Sequence, residues 1–267
     1  MKQTILIFLV IIFFFSCNEN KENIKPISNN LINDNEEVAL KDAVLKNPDS
    51  AIFMKNLIFF YLGKENYDAA LSTINNALQK DSTNAYLWDL KSIAAAEKAD
   101  TITSIKALEK AIDILPLPDY IISLGNLYAM TGNAKAIEMA DALLMSEKAN
   151  AAKEAFYIKG LYYRYKNQPL QSIPFFDKAI VTDYNFILAY LEKGLALYDL
   201  KRYRESANIF ETSVKVQNQF DQGYYYLGQC YEKLNMIQEA IEVYEMALQL
   251  DPDYIEAKDA LGKLGVK

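Results

Sequence analysis

The sequence predicts an all-α protein, an array of antiparallel helix pairs stacked one on the next over most of the chain. Three observations carry this. Past residue 35 the apolar residues recur at helical spacing, with short breaks and no strand alternation. The composition, 51% hydrophobic with 9 glycines and 7 prolines, suits a helical globular chain rather than a disordered one. Most telling, three series recur at a lag of 34 residues. They are Gly160, Gly194, Gly228 and Gly262; Ala43, Ala77, Ala111, Ala179, Ser213 and Ala247, with one gap at Met145; and Leu40, Ile74, Leu108, Ala142, Phe176, Phe210 and Tyr244. One shared period across three series is the mark of a repeat array.

Composition also sets chemistry aside. The chain of 267 residues has no histidine, which removes Ser-His-Asp and Cys-His nucleophiles and His-ligated metal sites. A net charge of −7, with no basic stripe, argues against nucleic acid. No carboxylate pair has a neighbourhood that would raise a pKa for acid catalysis. Pairs such as Asp251/Asp253 and Glu36/Glu37 read as solvated turn or cap charges. The expectation is no catalysis, no metal and no cofactor.

Taken from the N-terminus, residues 1–16 read as a signal peptide. Lys2 precedes eleven apolar residues, Ile5 to Phe15, too few for the ~20 that span a bilayer. Ser16-Cys17 then resembles a bacterial lipobox, with Phe14 and Phe15 in place of the usual Leu-Ala pair. That resemblance implies a diacylated Cys17 as the mature N-terminus, and Asn18 rather than aspartate favours the outer membrane. The alternative is an ordinary secretory signal with an incidental cysteine. With Cys17 lipidated, Cys230 has no disulfide partner and reads as a small buried hydrophobe. Residues 17–35 are polar and asparagine-rich, a tether that buries too little surface to fold.

Residues 36–267 form the array. A half-repeat helix occupies 36–50 and is stopped by Pro48; six repeats fill 51–84, 85–118, 119–152, 153–186, 187–220 and 221–254; a closing helix takes 255–267. Neither helix of a pair can bury its apolar stripe alone, so neighbours must stack. Glycine or alanine is expected where two axes cross closely, with the aromatics at 176, 210 and 244 filling the space between pairs. Pro174 should kink its helix or delay its start to about Gln171. In 119–152 the pair Leu124-Gly125 comes one residue early, which places a deletion in the turn near Gly132-Asn133.

The last repeat carries a resemblance. Tyr224-x2-Leu227-Gly228-x2-Tyr231, then Ala240-x3-Tyr244, then Pro252, resembles the tetratricopeptide repeat, with tyrosine standing for tryptophan and phenylalanine. In 85–118, Trp88 and Pro116 match while Ser92 and Ala95 replace the glycine and tyrosine. The resemblance implies a right-handed superhelix whose first helices line a concave groove that binds protein partners.

Tyr224, Tyr225 and Tyr226 adjoin in sequence, but each step along a helix turns a side chain by about 100°, so they cannot share a role. Tyr224 is assigned to the core, Tyr225 to the groove and Tyr226 to its flank. The same geometry gives a partner-binding set of Tyr157, Leu161, Arg164, Tyr165, Leu191, Leu195, Tyr198, Gln222, Tyr225, Gln229 and Glu232. Fourteen of the 19 tyrosines lie from Tyr157 onward, and tyrosine suits peptide or glycan contacts. The simpler alternative is that these rings only pack on neighbouring helices, as Tyr162 and Tyr163 should. The carboxylate clamp of some family members is rejected: Lys55 and Asn126 fit single positions, but Phe59, Ile93, Leu161 and Leu195 hold the others.

Two functional readings follow from the resemblance. One is a lipid-anchored adaptor of the bacterial cell envelope that gathers protein partners, its membrane contact made through the lipid. The other is a glycan- or peptide-binding component of a surface nutrient-uptake system.

Overall fold

The computed structural model describes residues 34–48, 50–146 and 150–266, so the signal, Cys17 and nearly all of the tether lie outside the described residues. The fold divides after Pro116 into two compact units. Unit 1 holds α1 (Asp34–Lys46), α2 (Ala51–Gly63), α3 (Tyr67–Lys80), α4 (Ala85–Glu97) and α5 (Thr101–Ile114). Unit 2 holds α6 (Pro118–Met130), α7 (Lys135–Met145), α8 (Ala152–Tyr165), α9 (Pro169–Thr182), α10 (Ile187–Asp199), α11 (Tyr203–Val216), α12 (Asp221–Lys233), α13 (Ile237–Leu250) and α14 (Ile255–Lys263). The fold is the all-α tetratricopeptide architecture, with a helix pair in each expected repeat.

Size complementarity holds each pair together. A Cβ at Gly160, Gly194 or Gly228 would fall 2.4, 2.5 or 2.5 Å from the ring of Phe176, Phe210 or Tyr244, all fully buried. The aromatics therefore enter their own pair rather than the space between pairs, because only a bare backbone leaves room for a ring. Each contributes about 2–3 kcal/mol by burial. Where the second helix offers only Leu108, the first helix carries Ser92, whose hydroxyl lies 2.8 Å from that of Ser104. Where it offers Ile74, the matching residue is Ile58, in the same core.

The turn inside each pair is a Schellman closure. The bonds Asn66 N to Tyr61 O, Asp100 N to Ala95 O, Asn133 N to Tyr128 O, Gln168 N to Tyr163 O, Arg202 N to Leu197 O and Met236 N to Tyr231 O measure 2.8–2.9 Å. The residue before each donor is left-handed: Glu65, Ala99, Gly132, Asn167, Lys201 and Asn235, with φ between 56 and 66°. These positions correct the expected deletion. Gly132 falls one residue early, as α6 does, and Ala134 is an added residue before α7, so the turn contains an insertion that restores the period. The delayed start that Pro174 offered as one outcome is a second correction. The helix begins at Pro169 and runs through Pro174, which is exposed, so the bond it forfeits belongs to the Leu170 carbonyl on the solvent side.

A left-handed backbone costs an L-residue ~1–2 kcal/mol, and glycine almost nothing. Ala99→Gly should therefore stabilise by up to about 1 kcal/mol, and Gly132→Ala should destabilise by about 1 kcal/mol or more. Thermal melting checks both signs; a lower melting temperature for Ala99→Gly would refute this account of the turn.

Candidate functional site

In unit 2, α6, α8, α10 and α12 each pack on their own second helix; α8, α10, α12 and α14 pack on the second helix before them; and α6 meets α8, α8 meets α10 and α10 meets α12. The first helices thus run side by side along one face, the inner face, where the predicted site residues gather.

The seams between first helices swallow part of the predicted set. Tyr157 packs edge-on against Phe186, the residue just before α10, with centroids 5.3 Å apart. Tyr225 meets Tyr254, just before α14, at 5.1 Å. Leu191 shares a core with Phe220, just before α12. An aromatic before α10, α12 and α14 therefore packs on the side chain that the helical wheel aims outward. Tyr157, Leu161 and Leu191 are buried, at 7, 4 and 7% exposure, which corrects their placement on a groove surface. Burial pushes the Tyr157 hydroxyl well above its ordinary pKa.

The three adjacent tyrosines also need correction. Tyr225 is half-buried among Tyr226, Tyr244 and Tyr254 and packs on the last core, and its hydroxyl accepts from Gln229 Nε2 at 2.7 Å. Tyr226 stacks on Phe210 at 5.6 Å. Tyr224, expected in the core, is only partly buried. All three are thus partly buried, and Tyr225 owes its share to Tyr254 and the last core.

What stays accessible is a mixed strip. Tyr165 is 42% exposed, with the Arg164 guanidinium 5.8 Å from its ring centre. Arg164 pairs with Glu192 at 2.7 Å and reaches Asp199 at 3.7 Å, while its Nε is buried with no hydrogen-bond partner. Burial raises the Glu192 pKa, and the Arg164 charge opposes that rise. Leu195 and Tyr198 lean on the Phe210 core from the open side. Burial pushes the Tyr198 hydroxyl up to about 12. Gln222, Gln229 and Glu232 are half-buried, and Glu232 accepts a hydrogen bond from the Tyr244 hydroxyl. The sequence reading missed Glu192, Asp199 and Tyr254. The recurrence of Phe186, Phe220 and Tyr254 at 34 residues was the available signal for the seams.

Cys230 is fully buried, as expected, and donates to Ser206 Oγ at 3.2 Å; its thiol is raised to about 11, which leaves it protonated and unreactive. Among the described residues no group of His, Cys, Asp and Glu is placed to hold a metal ion, and no helix is long and apolar enough to cross a membrane.

The tetratricopeptide-repeat family pattern matches residues 187–220 and 222–254. Those two stretches are tetratricopeptide repeats. A TPR repeat-containing protein of Methanocaldococcus jannaschii is 26% identical over 238 residues, which cover 79% of this chain. The alignment spans 41% of that relative's length. Among solved structures, a tetratricopeptide repeat protein from Parabacteroides merdae superposes with a TM-score of 0.70 at 15% identity, covering 86% of this chain and 91% of its own. PilW, described as a type IV pilus biogenesis factor, gives 0.63 at 16% identity, covering 78% and 96%. At these identities the structures share the fold. Tetratricopeptide repeats are protein-interaction scaffolds, and this tetratricopeptide array presents its strip on the side where first helices adjoin.

Proposed function

We propose that this chain is a non-catalytic scaffold, held by a lipid on Cys17 to a bacterial envelope membrane, that grips protein partners along the inner face of unit 2. One observation carries the binding reading. After the seams have buried Tyr157, Leu161 and Leu191, Tyr165, Tyr198 and Gln229 still line an accessible face with charged groups between them. Such a surface combines aromatic anchors with hydrogen-bonding edges, the mixture that dominates interfaces. The anchoring reading is supported by Lys2, the apolar run Ile5–Phe15 and Ser16-Cys17.

The experiment places a photo-crosslinking amino acid in cells at Tyr165 or, as a control, at Val181, which is 86% exposed on α9. A metabolic fatty-acid label is read in the same cells. Tyr165 should give discrete adducts that Val181 does not, and the label should be lost in Cys17→Ala. Identical adduct patterns would overturn the inner-face reading, and an unlabelled wild-type protein would overturn the anchor.

A further inference from the structure

We infer that the inner face formed by α10, α12 and α14 takes an extended polypeptide segment carrying lysine or arginine side chains, a choice of partner that rests on the scaffold reading above. The argument is charge complementarity on an aromatic floor. Tyr198, Tyr225, Tyr226 and Tyr254 form that floor, each only partly buried. Burial acts first on their hydroxyls; the carboxylates that also bear on them are Glu232 at Tyr198, Glu256, Glu232 and Asp259 at Tyr225, Glu192 and Glu256 at Tyr226, and Asp221 and Glu256 at Tyr254. Glu256 and Asp259 are exposed on α14, with Lys263 as an exposed cation a turn beyond Asp259. The cation that does bear on Tyr226, Arg164, is already matched by Glu192 and Asp199 at 2.7 and 3.7 Å. Lys258 is turned toward Asp253, 3.8 Å away.

The face therefore offers carboxylates beside tyrosine faces. That pairing suits a side chain with an apolar stem and a cationic head, since lysine and arginine lay their methylenes on rings and are held over them by the ring quadrupole. An acidic segment would meet the same carboxylates with like charge. Each ion pair at a wet surface is worth a factor of about 1.5–5 in affinity, so three cations together give roughly tenfold or more at low salt, fading as salt is raised.

The test uses fluorescence anisotropy on the full chain with three labelled probes: a threefold repeat of Lys-Ala-Tyr-Ala, and the same peptide with every lysine replaced by glutamine or by glutamate. The lysine probe should bind at least tenfold tighter than the glutamine probe at low salt, with the glutamate probe weakest. Glu256→Gln with Asp259→Asn, both at exposed sites, should cut that preference severalfold without changing the melting temperature. Neutralising Glu242 and Glu245, exposed on the second helix α13, should not. A glutamine probe that binds as tightly as the lysine probe would overturn the inference, and so would an equal loss from the α13 pair, since net charge alone would then be responsible. If Tyr165→Ala and Tyr198→Ala weaken the glutamine probe in that case, the scaffold reading stands without the basic partner. If they weaken none of the probes, it falls as well.

Discussion

Gly194→Ala should lower stability by about 2–3 kcal/mol, a large effect for one added methyl. The new Cβ would lie 2.5 Å from Phe210, whose ring is fully buried and has nowhere to move, and Ser206 donates to the Gly194 carbonyl at 2.7 Å, which pins the backbone on the same side. Phe210→Ala alone costs about 3–5 kcal/mol through the cavity it leaves. The double variant should be better than the sum by at least about 1 kcal/mol, because each change relieves the other. Gly262 is the internal control. It continues the same series, yet a Cβ there meets nothing within 4 Å, since no second helix follows α14 among the described residues. Gly262→Ala should stabilise slightly, by up to about 1 kcal/mol from helix propensity. Urea denaturation of the four variants checks this. Equal losses at Gly194 and Gly262 would mean that the glycines serve the backbone and not the ring.

The second large effect is expected at the Arg164–Glu192 pair. The side chains are 20 and 12% exposed, so removal of one partner leaves the other largely desolvated. Arg164→Met should cost about 3 kcal/mol at neutral pH, and adding Glu192→Met should recover most of it. The pH dependence has a definite sign. Burial raises the Glu192 pKa in the folded state, and removing Arg164 takes away the opposing charge, so the folded value rises further above the unfolded one. Over that window the folded state binds more protons, and stability falls as pH rises. The deficit of Arg164→Met should therefore be full at about pH 7 and shrink toward about pH 5 as Glu192 takes up a proton. A deficit that grows on acidification would show that Glu192 is solvated in the folded chain.

Much of the site was hidden for one geometric reason. The sequence assigns a direction to each side chain on its own helix, and a helical wheel knows nothing of the neighbour. Tyr165 and Tyr198 point outward and remain accessible, as their positions indicate. Tyr157 points outward too and is covered by Phe186 from the next repeat, while Tyr225 is covered only in part by Tyr254. Arg164 and Glu192 are 28 residues apart, nothing in either local stretch marks them as partners, and only the approach of α8 to α10 makes them a pair.

By itself the sequence determined the all-α class, the 34-residue period, the boundaries of the helix pairs, and the glycines at the close crossings, because each follows from local spacing repeated along the chain. Tertiary structure alone decided which rings Tyr225 and Tyr226 meet, where the irregular third repeat absorbs its extra residue, and which charges meet on the inner face. Those depend on separations between helices, and a separation between two helices is set by side chains from both.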